Sequence, residues 1–259
     1  MEARHLKNKP LVEAILEIRW ALQGQPNMQV DPHYKILLGR LFDRLSSEYK
    51  KHQPLPTASI PDEMAGYMVQ HQFRVRENGW PLVQVGPGII TLNETSMYTW
   101  NDFKYRADQV VSELYAAYPD RDSLRVNSLM LRYINAIEFD YEKEDLINFL
   151  REKMKVVSAL PETLFASEKI SRTPIGFNWQ AMYPIKDPKG VVQMKYATGK
   201  KTEKKTEAHA LIFELSVQTT GDHVPQMPQG FKEWSEKAHE ITEDWFFKLI
   251  EGELERRFA

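Results

Sequence analysis

Two arginines of this chain stand in matching contexts, Ile18-Arg19-Trp20 and Leu131-Arg132-Tyr133. A guanidinium is a planar fork of donors that binds a carboxylate or phosphate through two parallel hydrogen bonds. Two such forks set about a common axis would grip a small anionic ligand. Glu13 and Glu17 lie beside the first arginine and Tyr133 and Asn135 beside the second. With Arg19 and Arg132 they make up the candidate ligand-binding set. A second reading of the arginines stays open, in which Arg19 pairs with Glu17 or Glu13, and Arg132 with Glu138, across neighbouring strands.

Other reactive groups form no recognisable constellation. His71, His209, His223 and His239 include no His-x-x-x-His pair and no His-Glu-x-x-His helix, so the sequence assigns no metal. It holds no glycine-rich phosphate loop, no dinucleotide-binding turn and no Gly-x-Ser-x-Gly elbow, and it nominates no nucleophile and no cofactor. Glu13 and Glu17 could act as paired carboxylates only in a deep pocket. Asn135 shares a strand face with Leu129, Leu131, Tyr133, Ile137 and Phe139. A buried amide left unpaired costs about 1 to 3 kcal/mol. Asn135 therefore bonds a neighbouring loop, lines a polar pocket or turns outward at a bulge.

The elements that must position these groups follow from periodicity. In 11–22, Val12, Ala14, Leu16, Ile18, Trp20 and Leu22 share one face of a strand, and Glu13, Glu17 and Arg19 the other. The stretch 126–139 repeats this logic, Leu129 standing for Leu16, Leu131 for Ile18 and Tyr133 for Trp20. After the first strand, Asp31-Pro32 reads as an N-cap followed by proline, opening an amphipathic helix through Tyr34, Leu37, Leu41, Leu45 and Tyr49. The proline-bearing segment 51–65 reads as loop, and 71–76, 82–85 and 89–92 as strands, with Asn78-Gly79 as a hairpin turn. Thr99 is placed to cap a helix whose buried stripe runs from Trp100 through Phe103, Ala107, Val111 and Leu114.

The second half continues with a helix near 145–154, an ambiguous stretch 156–173, strands at 176–183, 191–197 and 210–218, and a closing helix through Phe231, Trp234, Ala238, Ile241 and Trp245. Between the last two strands, Lys200, Lys201, Lys204 and Lys205 mark a charged hairpin tip. The predicted fold class is α+β. Two pseudo-repeated β-α-β-β-β-α units, residues 1–120 and 121–259, form antiparallel sheet covered by helices and pack as one compact unit, in a helix-grip or duplicated-saddle arrangement.

The chain has 259 residues, 42% hydrophobic and 27% charged, which is globular composition. A net charge of −2 offers no global attraction to nucleic acid or to an anionic membrane, so either would need a local patch. Without cysteine there is no disulfide, thiolate metal site or cysteine nucleophile. The charged start at Glu2, Arg4 and Lys7 is unlike a signal peptide, and no uncharged run reaches membrane-spanning length; the expected location is cytoplasmic. The aromatic residues in the helices are expected to be core rather than base-stacking surface.

The motifs Lys9-Pro10-Leu11-Val12-Glu13-Ala14-Ile15-Leu16-Glu17-Ile18-Arg19-Trp20 and Leu131-Arg132-Tyr133-Ile134-Asn135 resemble those of a sporadically distributed family of uncharacterised bacterial proteins of about this length. The resemblance covers nearly the whole chain. It implies a bacterial cytoplasmic protein, with some members in mobile or defence-related gene groups, and carries over no catalytic residue. The expectation is a non-enzymatic binding or accessory protein holding a protein partner or small anionic ligand on the sheet face or in the cleft between halves, in homo-oligomeric or hetero-oligomeric company and without membrane attachment. The alternatives are a carboxylate- or metal-dependent hydrolase or nuclease, and a nucleic-acid-binding module.

Overall fold

The structure is a computed structural model that describes residues 6–25, 28–95, 97–141, 143–167, 169–171, 174–203 and 206–259. Lys204 and Lys205 of the charged tip lie outside the described residues. In chain order the elements are β1 Leu11–Trp20, β2 Gln23–Gln25, β3 Met28–Val30, α1 Tyr34–Leu45, β4 Lys51–Pro54, β5 His71–Arg74, β6 Leu82–Gly86, β7 Ile89–Glu94 and α2 Trp100–Ala117. They continue with β8 Val126–Glu138, α3 Leu146–Met154, β9 Asn178–Lys186, β10 Lys189–Glu203, β11 Thr206–Thr220, α4 Phe231–Ile250 and α5 Glu253–Phe258.

Nine strands form one antiparallel sheet in the order β4-β5-β6-β7-β1-β8-β11-β10-β9, and β2 and β3 pair separately. The two sequence-matched strands are neighbours at its centre. Leu16 stands opposite Leu131 and Ile18 opposite Leu129, so the apolar residues of both strands fall on one face. That face is dry: Ala14, Leu16, Ile18, Trp20, Leu129 and Leu131 are all buried against α1, α2 and α4 through Leu37, Leu41, Val110, Leu114, Trp234 and Ala238. A second apolar cluster joins α3, α5 and the end of α4 to β10 and β11 through Phe149, Leu150, Leu254, Tyr196 and Phe213. The first cluster draws on both 1–120 and 121–259, and the sheet runs across that boundary without interruption.

Several details depart from the sequence reading. Val12, expected on the buried face, is 40% exposed, because it is the extra residue at a register shift between Leu11 and Glu13. Lys51–Pro54 lies in the segment expected to be loop, yet it adds an edge strand beside β5. β10 and β11 are 15 residues each, longer than expected, because their pairing continues from Val191↔Gln218 into the charged tip at Glu203↔Thr206. Within the ambiguous stretch, Glu162–Phe165 makes one tight helical turn. The expected cap of α2 forms, the Thr99 side chain accepting from Asp102 N at 3.4 Å, and Asp145 caps α3 in the same way, accepting from Asn148 N at 2.9 Å. None of the helices among the described residues is long and apolar enough to cross a membrane.

Asp31 does not cap α1, which begins at Tyr34 with His33 in the cap position. Its carboxylate is instead buried at 7% exposure, and Oδ2 accepts from Trp20 Nε1 at 2.8 Å. Oδ1 accepts from Tyr118 OH at 3.0 Å and from His33 N at 2.9 Å. One side chain thereby ties the end of β1, the start of α1 and the end of α2. Burial, and next the Asp31 charge, pushes the Tyr118 hydroxyl above its ordinary range, so it stays a donor. Asp31→Asn turns one acceptor oxygen into a donor facing donors. Urea unfolding is expected to show a loss of about 2 kcal/mol; a loss below about 0.5 kcal/mol, the range of an ordinary surface change, would contradict this role.

Candidate functional site

The two-residue period of the central strands divides the six candidate residues between opposite faces of the sheet. Glu13, Glu17, Arg19 and Arg132 lie on the face away from the helices, whereas Tyr133 and Asn135 lie on the helix-covered face. On the open face the charges are paired locally. Arg19 Nε lies 2.7 Å from Glu17 Oε1, although not aligned for a hydrogen bond, and its guanidinium sits 5.5 Å over the Tyr67 ring. Arg132 Nη2 meets Glu214 Oε2 at 2.7 Å, and Lys195 Nζ approaches the same carboxylate at 3.9 Å. Glu138, the partner expected for Arg132, instead stands 3.9 Å from Arg257. Glu13 Oε1 accepts from Asn93 Nδ2 at 2.9 Å. Arg19 stands opposite Ser128 and Arg132 opposite Ile15, four ladder positions apart. Four positions are about 13 Å along a strand. The structure therefore turns each arginine onto its own carboxylate and does not bring the two together on one point.

The helix-covered face holds the site instead. Where the first turn of α2 and the middle of α4 stand over β8, a cleft of about 550 Å³ opens, within the size range of small-molecule sites. Its floor is Tyr133 and Asn135 from β8 with Leu215 from β11; its walls are Tyr98 and Trp100 on one side, and His239, Glu243, Phe246 and Phe247 on the other; Lys9 and Leu11 close one end. Lys104 Nζ on α2 donates to Glu236 Oε1 on α4 at 3.0 Å and fixes the two helices across the cleft's margin.

A chain of three rings runs along the wall. The Tyr98 and Tyr133 hydroxyls are 2.8 Å apart, and Tyr133 OH lies 3.0 Å from His239 Nδ1. Trp100 stacks on the His239 imidazole, with centroids 3.9 Å apart and planes inclined by 16°. Burial, and next the Lys104 charge, lowers the His239 pKa to about 4, so the imidazole is neutral at physiological pH. Burial also holds both tyrosine hydroxyls well above their ordinary value and therefore protonated. His239 Nε2 faces Glu243 Oε2 at 3.9 Å, which favours the ring proton on Nε2. Nδ1 then accepts from Tyr133, whose oxygen accepts from Tyr98. The wall is a neutral, internally satisfied relay.

Of the expected alternatives Asn135 realises the pocket, and its side-chain bond goes to the neighbouring strand β11 and not to a loop. Its Nδ2 donates to Phe213 O at 3.3 Å, and its side chain forms part of the cleft floor. It stands opposite Leu11 at the register shift that begins β1. Sequence reasoning reached Tyr133 and Asn135 but placed Trp100 in the helix core and weighed His239 only as a metal ligand. The signal that could have found them is the Tyr133 hydroxyl itself, a polar tip on a core face that needs a partner from another element. Among the described residues no group of three or more His, Asp or Glu side chains is placed to hold a metal; His52 Nε2 and His71 Nδ1 form an isolated pair at 2.9 Å.

Compared with known proteins, the chain matches no family model and no curated protein.

The lowered His239 pKa makes stability pH-dependent with a definite sign. The unfolded chain takes up a proton near the ordinary value of 6.5, whereas the folded chain resists until about pH 4. This contribution is whole above pH 6.5 and is lost as pH falls from 6.5 towards 4. It amounts to about 3 kcal/mol, at about 1.4 kcal/mol for each pH unit between the two values. Parent and His239→Gln unfolding curves recorded across that window are expected to differ in slope, the parent falling more steeply. Parallel curves would contradict a buried neutral imidazole.

Proposed function

We propose that this is a non-enzymatic binding protein whose ligand, a small organic molecule with a flat apolar body, sits in the cleft between α2 and α4. The cleft itself carries the reading: a concave site of about 550 Å³ with aromatic walls and a few fixed polar groups is the usual architecture of a small-molecule pocket. The protonation states support binding over catalysis. A general acid or base works best with a pKa near the operating pH, whereas burial moves the Tyr98 and Tyr133 hydroxyls up and the His239 imidazole down, away from neutrality. The relay then acts as a rigid wall of oriented donors and acceptors.

The open sheet face offers less to a ligand, because its guanidinium groups already have carboxylate partners. The motif behind the family resemblance contributes Lys9, Leu11, Tyr133 and Asn135 to the cleft, which agrees with a shared binding role for such proteins.

We infer too that the cleft lies between two halves related by duplication. Several observations support this. Strands of the first half lie beside β1 and those of the second beside β8 in corresponding order, apart from the additional β4. A local two-fold axis between Glu17 and Met130 carries Leu16, Ile18 and Arg19 onto Leu129, Leu131 and Arg132 in the observed register. The helices that flank the cleft, α2 and α4, each close one half.

Three probes of one shape and different charge test the binding reading at neutral pH: naphthol, naphthoate and naphthylmethylamine. At least one is expected to bind saturably, one per chain, in calorimetric titration, and Leu11→Trp, which fills the end of the cleft, is expected to abolish that binding. No saturable binding by any of the three, or binding indifferent to Leu11→Trp, would overturn the assignment.

A further inference from the structure

Of the polar groups on the cleft floor, Tyr133 belongs to the relay and Asn135 does not, and Asn135 carries an unused hydrogen-bond acceptor. The Phe213 carbonyl can only accept, so the amide atom 3.3 Å from it is Nδ2, which leaves the other position to Oδ1. That oxygen accepts no hydrogen bond from the described residues. Nor is it sealed in: the unpaired hydroxyls of Tyr34 and Tyr49 are closed off by packing, whereas Oδ1 keeps contact with the cleft. We infer, resting on the binding reading just given, that the occupant carries an uncharged hydrogen-bond donor on the rim of its flat body, a phenolic O–H or a ring N–H, and that Asn135 Oδ1 receives it.

The surroundings make this acceptor selective. Asn135 is 3% exposed, and Leu215 and Phe213 on the adjoining strand are buried as well. Solvent can serve an amide oxygen in an open cleft, but a ligand that covers it must replace that bond or leave the oxygen unpaired among apolar groups. A ligand without a donor is therefore penalised. The acceptor is also fixed in place, since Asn135 stands between Leu11 of β1 and Phe213 of β11, and its bond to Phe213 O holds the amide plane. Little side-chain freedom is lost when a donor arrives.

The same floor disfavours a full charge. An amide oxygen is a single neutral partner, so an ammonium set beside Leu11, Leu215 and Phe213 would keep its other donors unpaired, and a carboxylate would meet Oδ1 with lone pairs. An O–H or a ring N–H has one donor to place, and Oδ1 takes it. The walls contribute in a different way. Trp100, Phe246 and Phe247 receive the flat body whatever its rim carries, which supplies affinity without telling donors from non-donors. The anionic ligand expected from the sequence rested on Arg19 and Arg132, which lie on the other side of the sheet.

Calorimetric titration of the full chain with naphthol and with methoxynaphthalene, which keeps the oxygen and lacks the O–H, tests the inference. Naphthol is expected to bind at least about tenfold more tightly. In Asn135→Leu, of similar volume and without polar atoms, the margin is expected to shrink to about twofold or less through a loss of naphthol affinity. Circular dichroism of the variant verifies its fold. Should leucine there prevent folding, the parent protein gives the readout: the Asn135 side-chain carbonyl carbon resonance is expected to move downfield as naphthol saturates the cleft. Methoxynaphthalene binding within about twofold of naphthol, a full margin that survives Asn135→Leu, or a carbonyl resonance without that downfield shift would overturn the donor inference and leave the binding site intact. Binding of naphthoate or naphthylmethylamine without binding of naphthol would do the same. Failure of all the naphthyl probes would remove the binding reading itself.

Discussion

The arrangement depends on the pairing of β1 with β8. Side chains alternate between faces along a strand, so a register and its parity decide which residues become core and which become surface. With Leu16 opposite Leu131 and Ile18 opposite Leu129, the apolar sets of the two strands reinforce each other under α1, α2 and α4. A slip of one residue in either strand would place Arg19 or Arg132 under the helices and expose Leu16 or Leu131. The cost of burying an unpaired guanidinium excludes that alternative. The same parity sends Tyr133 and Asn135 to the helix side, where their polar tips must find partners or line a cavity.

The two faces of the sheet meet the demands of polar burial differently. On the open face, charge is neutralised by short-range pairs and by amides and hydroxyls, such as Thr91 Oγ1 donating to Asn93 Oδ1 at 2.6 Å and Asn93 donating on to Glu13. In the cleft wall on the helix side, ionisation of the relay is avoided. Tyr98, Tyr133 and His239 satisfy one another as neutral groups, and Thr242 turns its hydroxyl back to Ala238 O at 3.0 Å within α4. A neutral wall can be buried cheaply and held rigid, which is what a preorganised binding surface requires. Over Tyr133, no side chain among the described residues fills the gap between Trp100 and Phe246, and the cleft results.

Much of the fold was legible because its signals are local. Alternation in β1 and β8, the stripe and Thr99 cap of α2, and the stripe of α4 all lie within a few residues of each other, and each element formed where these signals placed it. What escaped depends on distant partners. Asp31 has the composition of a cap, yet Trp20 and Tyr118 take up its carboxylate, the latter 87 residues away. The candidate site was half legible for the same reason. Tyr133 and Asn135 stood out as polar groups on an apolar strand face, but His239 joins Tyr133 across 106 residues, and nothing local to α4 distinguishes that histidine. The arginine pair stood out most and carries least, since matching positions in two strands do not converge when they lie four ladder positions apart.

The central claim is that ligand binding belongs to the helix-covered face of the sheet and not to its open face. Mapping amide and indole NMR shifts while naphthol is added tests it most directly. The account expects the saturating shifts to concentrate at the Trp100 indole and the backbones of Tyr98, Tyr133, His239 and Phe246, with Arg19, Arg132 and Glu214 unmoved. Saturating shifts centred on Arg19, Arg132 and Glu214, with the Trp100 indole unmoved, would contradict it.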